Sequence, residues 1–258
     1  MGGDTRAREH PDLRIHGEPR RPVDDPTLGV AVEVDRSGRP ANRLVTIGDS
    51  LTQGFMSGAI FRTDLSWPAI VAHELGLRPG VGFRYPVYEP PTGPGGLPLD
   101  LERAIRDLEA RVGDRLDWYE TIRALRHARS YMDRVEDWWE RGPGDEVPKT
   151  TGPYHNLAVY GADLLEVLLL DAGRIADRLE KPSNDDPFAQ IVDRDNDRAW
   201  RVVLESCRAP DETPRTVLEA ARAMGHEGTE GGEAGPGIET LVVILGGNHA
   251  LGAIVDLE

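Results

Sequence analysis

Apolar residues occur in three short runs, and each run is followed at once by glycine and polar residues. Such runs are typical of buried strands, and the three occupy residues 44–47, 156–160 and 241–245. The last run is apolar at every position, which predicts burial on both faces of a parallel sheet. Gly-Asp-Ser ends the first strand, Gly161 ends the second and Gly-Gly-Asn ends the third.

Helical spacing of apolar residues follows between these strands. Residues 66–76 give the clearest helix pattern, with serine at the cap position, proline in the first turn and a closing glycine. The spacing also predicts a helical hairpin or a pair of amphipathic helices over 101–139. It further predicts a strongly apolar helix over 162–179 and helices at 199–206 and 213–224. Weaker patterns predict short strands at 30–34 and 83–88.

The order of these elements predicts one α/β domain with a mostly parallel sheet. The predicted domain covers residues 41–258 and follows an extended lead-in over residues 1–40. Helical insertions are expected at about 98–145 and 182–237.

The amino-acid composition disfavours several kinds of binding partner for this protein. The chain has 258 residues and a formal net charge of −15, which argues against a nucleic acid or an anionic membrane surface as partner. Cys207 is the only cysteine, which excludes an intrachain disulfide and disfavours a cysteine-based metal site. No secretory signal and no membrane-spanning apolar run is visible, so we expect a soluble, cytoplasmic protein.

The turns that follow the three strands carry the candidate chemistry. Carboxyl ends of parallel strands meet at one edge of a sheet, where α/β proteins bind their ligands. We expect Ser50 to supply a nucleophilic hydroxyl there. The backbone N–H groups of Ser50 and Gly161 and the side-chain amide of Asn248 would form an oxyanion hole. The alternative is a serine that only caps a helix.

These turns resemble the sequence blocks of the SGNH, or GDSL, family of serine hydrolases. Residues 48–54, Gly-Asp-Ser-Leu-Thr-Gln-Gly, are similar to the family's serine block. Residues 156–163 and 246–249 resemble its glycine and asparagine blocks, in the same order. The resemblance implies a flavodoxin-like three-layer α/β/α fold with strand order 2-1-3-4-5. It also implies an esterase or lipase-like acyl hydrolase that acts on a small-molecule ester through an acyl-enzyme on Ser50, without metal or cofactor.

The chain departs from the family pattern in two respects. His249 stands where the family has aspartate. We interpret it as structural, on an extended segment that points it away from the serine, although a substitute base is the alternative. The family's Asp-x-x-His motif is absent, since none of the seven histidines has aspartate three residues before it: His10, His16, His73, His127, His155, His226 and His249.

The chain also lacks a candidate for the fifth strand of the family's sheet. Without that strand, the strand over residues 241–245 would be an apolar sheet edge. We therefore expect these residues to be the N-terminal part of a longer hydrolase whose catalytic histidine lies beyond residue 258. The alternative, from another functional class, is a non-catalytic acyl- or glycan-binding module that keeps the fold and lacks the histidine.

Two further patterns have simpler interpretations. Residues 193–197 imitate the start of an EF-hand loop. Arg198 at the required glycine position and Leu204 at the required glutamate position disfavour calcium, so we expect a solvated acidic turn. Four aromatic residues of the helical hairpin are expected to pack against the main body, although an acyl pocket is the alternative: Trp118, Tyr119, Trp138 and Trp139.

Overall fold

The sheet of the protein is built around its first strand. The computed structural model describes residues 40–88, 96–113, 120–146, 150–180, 192–227, 235–248 and 250. Strand β1 (Pro40–Gly48) pairs in parallel with β4 (Gly235–Ile244). On the other side of β1, residues 156–159 run parallel to it and donate hydrogen bonds to its carbonyl groups. A short antiparallel pair, β2 (Ala59–Ile60) with β3 (Leu97–Pro98), lies apart from this sheet.

The mixed α/β character is confirmed, but the flavodoxin-like strand order 2-1-3-4-5 is not. In the described part of the chain, the strand before Asn248 pairs directly with β1, so β1 lies between the strand segments that precede Gly161 and Asn248. This order brings all three turns to the same end of β1.

Eight α-helices precede β4 within the described residues. They are α1 (Ser50–Gln53), α2 (Trp67–Glu74), α3 (Leu101–Val112), α4 (Glu120–Glu140), α5 (Leu164–Leu169), α6 (Ala172–Glu180), α7 (Asp195–Ser206) and α8 (Val217–Met224). The predicted helix over 66–76, the two helices within 101–139 and the two helices of the second insertion are confirmed. None of these helices is both long enough and apolar enough to cross a membrane.

The prediction of one continuous helix over residues 162–179 is wrong. Asp163 caps α5 through a capping box with Glu166, and Leu170 is extended. Asp171 then accepts a hydrogen bond from the backbone N–H of Arg174 in the first turn of α6. A second acidic cap within the apolar run therefore starts a second helix. Although this run is strongly apolar, four leucines of α5 are exposed: Leu164, Leu165, Leu168 and Leu169.

The predictions for two strands also need correction. Strand β4 is not buried on both faces, because Leu241, Val243 and Ile244 are between 41% and 54% exposed. In the described residues β4 pairs on one side only, with β1. Residues 83–88 form no strand beyond an isolated bridge at Phe83. The strand predicted at 30–34 lies outside the described residues.

The main core lies between the sheet and the helices of the two insertions. Trp139 of α4 and Trp200 of α7 are buried in it beside Val45 and Ile47 of β1. The indole N–H of Trp139 donates to the carbonyl oxygen of Gly96. Packing is therefore confirmed as the role of Trp139, whereas Trp118 and Tyr119 lie outside the described residues.

Candidate active site

The serine turn lies at the carboxyl end of the central strand. Asp49 caps α1 by accepting a hydrogen bond from the backbone N–H of Leu51, and Ser50 is the first residue of that helix. Gly54 ends the helix in the left-handed conformation, with φ of 95°. Because α1 is a single turn, its dipole is small, and only the local N–H groups can favour negative charge near Ser50. Ser50 is half-buried, so solvent reaches it in part.

Gly48 is needed for close packing rather than for a left-handed backbone conformation. A Cβ atom at this position would lie 2.4 Å from Oγ1 and 2.6 Å from Cβ of Thr52, well inside van der Waals contact. The absence of a side chain at Gly48 therefore lets the first turn of α1 fold back against the end of β1.

The glycine turn follows residues 156–159 and is closed by a hydrogen bond of 3.1 Å from the backbone N–H of Ala162 to the carbonyl oxygen of Val159. Gly161 occupies the third position of this turn with φ of 75°. That conformation is the type II arrangement, which favours glycine at the third position. Gly161 is exposed, so its backbone is open to a ligand.

Gln53 connects the serine turn to the glycine turn. Its Oε1 accepts a hydrogen bond of 2.6 Å from the backbone N–H of Tyr160, and its Nε2 donates to the Tyr88 hydroxyl at 3.0 Å. That hydroxyl in turn donates to the carbonyl oxygen of Ala199 on α7. Asn156 adds a second connection by donating from Nδ2 to the carbonyl oxygen of Thr52. Three of these four bonds are buried, and together the four fix the two turns relative to each other.

Asn248 connects the third turn to the glycine turn. Its Nδ2 donates a hydrogen bond of 2.9 Å to the carbonyl oxygen of Ala162, the residue after Gly161. A Cβ atom at Gly247 would lie 3.5 Å from Oδ2 of Asp49, the residue before Ser50. The three turns that carry Ser50, Gly161 and Asn248 therefore meet at one end of the sheet, while the catalytic role of each residue stays a prediction.

The prediction for His249 assumed an extended segment after β4, and that assumption is wrong. Gly247, Asn248 and Ala250 are helical, and the backbone N–H of Ala250 bonds to the carbonyl oxygen of Gly246. His249 itself lies outside the described residues.

No pattern in the sequence predicts that α7 contributes to this end of the sheet. Asp195 accepts a hydrogen bond of 2.5 Å from the Tyr160 hydroxyl, and Nδ2 of Asn196 donates to the carbonyl oxygen of Tyr160 at 2.5 Å. Burial and the Asp195 carboxylate raise the pKa of Tyr160, so its hydroxyl remains a donor. The expected solvated acidic turn is instead the start of a helix that contacts the glycine turn.

His155 is structural. Its Nδ1 accepts from the backbone N–H of Arg84 at 2.8 Å, so its Nε2 carries the proton and donates to Oδ1 of Asn42 at 3.0 Å. Burial and the nearby Arg84 lower the pKa of His155 to about 3. Both ring nitrogens are therefore occupied by Arg84 and Asn42, and neither bonds Ser50.

The remaining histidines of the described residues lie on other elements. His73 is on α2, His127 is on α4 and His226 follows α8. None of these three, nor His155, hydrogen-bonds Ser50. Within the described residues, no group of three or more histidine, cysteine, aspartate or glutamate side chains is arranged to hold a metal ion.

The fold and this site together define an α/β protein in which a serine turn, a glycine turn and an asparagine turn meet beside the central strand. Comparison of the chain with protein-family models, with curated proteins and with solved structures finds no match.

Proposed function

We propose that the protein is a serine-dependent ester hydrolase of the esterase or lipase-like type, with Ser50 as nucleophile. The observation that carries the proposal is the contact between the side-chain amide of Asn248 and the carbonyl oxygen of Ala162, next to Gly161. Acyl transfer requires a nucleophile and hydrogen-bond donors close to one oxygen atom. The meeting of the serine, glycine and asparagine turns supports that arrangement.

In the proposed reaction, the Ser50 hydroxyl oxygen attacks the ester carbonyl carbon. The hydroxyl proton leaves to a general base, and the carbonyl oxygen becomes an oxyanion near the N–H groups of Ser50, Gly161 and Asn248. Collapse of this intermediate breaks the bond to the alcohol, which leaves with a proton, and forms the acyl-enzyme. Water then attacks the acyl carbon, releases the acid and restores the Ser50 hydroxyl. We place the general base outside the four histidines of the described residues, because none of them hydrogen-bonds Ser50.

A fluorophosphonate probe tests the proposal directly, because it phosphonylates an activated serine. The folded protein should be labelled on the peptide that contains Ser50, and Ser50→Ala should abolish both labelling and ester hydrolysis. Ser57→Ala is the matched control, since Ser57 is exposed and lies seven positions later. Folded wild-type protein that is not labelled, or labelling that persists in Ser50→Ala, would overturn the proposal.

The positions of the histidines favour a second candidate, a non-catalytic acyl- or glycan-binding module at the same site. His155, the only fully buried histidine in the described residues, is bonded to Asn42 and Arg84 and has no contact with Ser50. A binding module would give no fluorophosphonate labelling. A fatty acid or an oligosaccharide would nevertheless bind it and shift its tryptophan fluorescence, and substitution of Asn248 would weaken that binding.

A further inference from the structure

The orientation of one peptide group decides whether Gly161 can serve as an oxyanion donor. The carbonyl group of Tyr160 and the N–H group of Gly161 belong to the same trans peptide, so they point in opposite directions. Type I and type II turns differ by a rotation of this central peptide through about 180°. Glycine accepts the backbone angles of both turns, so Gly161 alone does not fix the direction of its N–H group.

Asn196 holds the carbonyl end of that peptide. Its Nδ2 lies 2.5 Å from the carbonyl oxygen of Tyr160, on the side of α7. The Gly161 N–H group must therefore point away from α7. A Cβ atom at Gly161 would lie 3.1 Å from the same nitrogen, so the carboxamide is in close contact with the turn. A hydrogen bond to the carbonyl oxygen also polarises the peptide, which makes its N–H group a stronger donor.

Asn196 is itself held in place by its neighbours. Asp195 is bonded to the Tyr160 hydroxyl, so two successive residues of α7 contact Tyr160. Arg194, just before them, is in the left-handed conformation with φ of 51°, which a non-glycine residue adopts only where its surroundings enforce it. Farther along α7, Trp200 and Val203 are buried in the main core and anchor the helix.

We infer that Asn196 is a positioning residue of the proposed site, which keeps the Tyr160–Gly161 peptide in the orientation that makes the Gly161 N–H group an oxyanion donor. The inference rests on the proposed function. It assigns to the second helical insertion an effect on transition-state stabilisation, which Asn196 exerts through the Tyr160–Gly161 peptide without touching the substrate.

The test compares Asn196→Asp with Asp197→Asn. The first variant keeps the shape of the side chain but replaces its donor by a carboxylate oxygen, which repels the Tyr160 carbonyl oxygen. Because one oxyanion donor typically contributes about 10²–10³ in turnover, we expect kcat to fall about tenfold or more with KM nearly unchanged. Fluorophosphonate labelling should slow by a similar factor. Asp197→Asn changes the neighbouring residue, which pairs with Arg178, and should leave both rates at the wild-type value.

Rescue and an activity-independent measurement complete the test. Asn196→Gln keeps an amide donor and should recover more of the rate than Asn196→Asp. The amide resonance of Gly161 in ¹⁵N NMR spectra should shift in Asn196→Asp and not in Asp197→Asn, whether or not the protein hydrolyses esters. Wild-type kcat and labelling in Asn196→Asp, or an unchanged Gly161 resonance, would overturn the inference. Loss of labelling from wild-type protein would instead overturn the proposed function.

Discussion

Gln53 lies with its side-chain carbonyl oxygen 2.6 Å from the backbone N–H of Tyr160, and this bond joins the turn of Ser50 to the turn of Gly161. Gln53 is fully buried, and its amide group also donates to the Tyr88 hydroxyl. One side chain therefore connects the end of β1, the glycine turn and, through Tyr88, helix α7.

Replacing Gln53 with methionine should destabilise the fold. The substitution keeps the volume of the side chain but leaves the Tyr160 N–H group without its acceptor. Because a buried, unsatisfied donor costs about 1–3 kcal/mol, we expect the free energy of unfolding to fall by about 2 kcal/mol. Urea denaturation measures the change. Leu51→Ala is the control on the same turn, since Leu51 is 74% exposed and its loss should cost less than about 0.5 kcal/mol. Equal stabilities of the two variants would contradict this account of Gln53.

Gly48→Ala should be among the most damaging substitutions in the serine turn. The new methyl group would overlap the side chain of Thr52, and relief of that overlap requires β1 and α1 to separate. Overpacking of this kind typically costs about 1–3 kcal/mol. Gly247→Ala is the matched control, because its methyl group would meet only Oδ2 of Asp49, at an ordinary 3.5 Å. Thermal denaturation should show a lower melting temperature for Gly48→Ala alone, and an equal decrease in both variants would contradict the steric argument.

Local patterns in the sequence predicted the elements well but not their partners. The cap, proline and glycine around α2 are local signals, and that helix is confirmed. The break between α5 and α6 also has a local signal, because Asp163 and Asp171 each cap a helix, but the run of leucines between them predicts a single helix.

Pairing across the sheet has no local signal. Nothing in residues 241–245 indicates that β4 pairs with β1 rather than with the strand segment 156–159. The same distinction between local and long-range signals applies to the candidate site. Ser50, Gly161 and Asn248 follow strands, so their common edge could be predicted, whereas Asn196 reaches Tyr160 from an insertion 36 residues farther along the chain.

Asn248→Ala tests the asparagine turn. If the proposed function is correct, loss of one oxyanion donor should lower kcat by about 10²–10³. Asn248 is only half-buried, so the free energy of unfolding should change much less than in Gln53→Met. Asn248→Asp should be equally inactive, because a carboxylate offers no donor and repels an oxyanion. Steady-state ester hydrolysis measures the effect, with Ser57→Ala as control. A fully active Asn248→Ala variant would remove Asn248 from the proposed oxyanion hole.

His155 should make the stability of the protein depend on pH. In the neutral ring, Nε2 donates a hydrogen bond to Asn42 and Nδ1 accepts one from the backbone N–H of Arg84. Protonation of Nδ1 would therefore break the bond from Arg84. The charged groups nearby are the Arg84 guanidinium, which opposes a second positive charge, and Glu227, which bonds Asn42 and interacts with Arg84.

The sign of the effect follows from the two pKa values. The pKa of His155 is about 3 in the folded protein and near 6.5 in the unfolded chain, so between these values the unfolded state binds one more proton. The stability that His155 contributes is therefore fully present above about pH 6.5 and is lost as the pH falls, by about 1.4 kcal/mol per pH unit.

His155→Gln isolates this contribution. Glutamine offers one acceptor and one donor but does not titrate. As the pH falls from about 6 to 4.5, the unfolding free energy of the variant should therefore decrease less steeply than that of the wild type. Subtracting the unfolding free energy of the variant from that of the wild type at each pH removes the contribution of carboxylates that titrate in both proteins. His73→Gln, which removes an exposed histidine from α2, is the matched control. Urea denaturation at several pH values gives these slopes. Parallel curves for wild type and His155→Gln would mean that the ring accepts a proton as readily in the folded protein as in the unfolded chain.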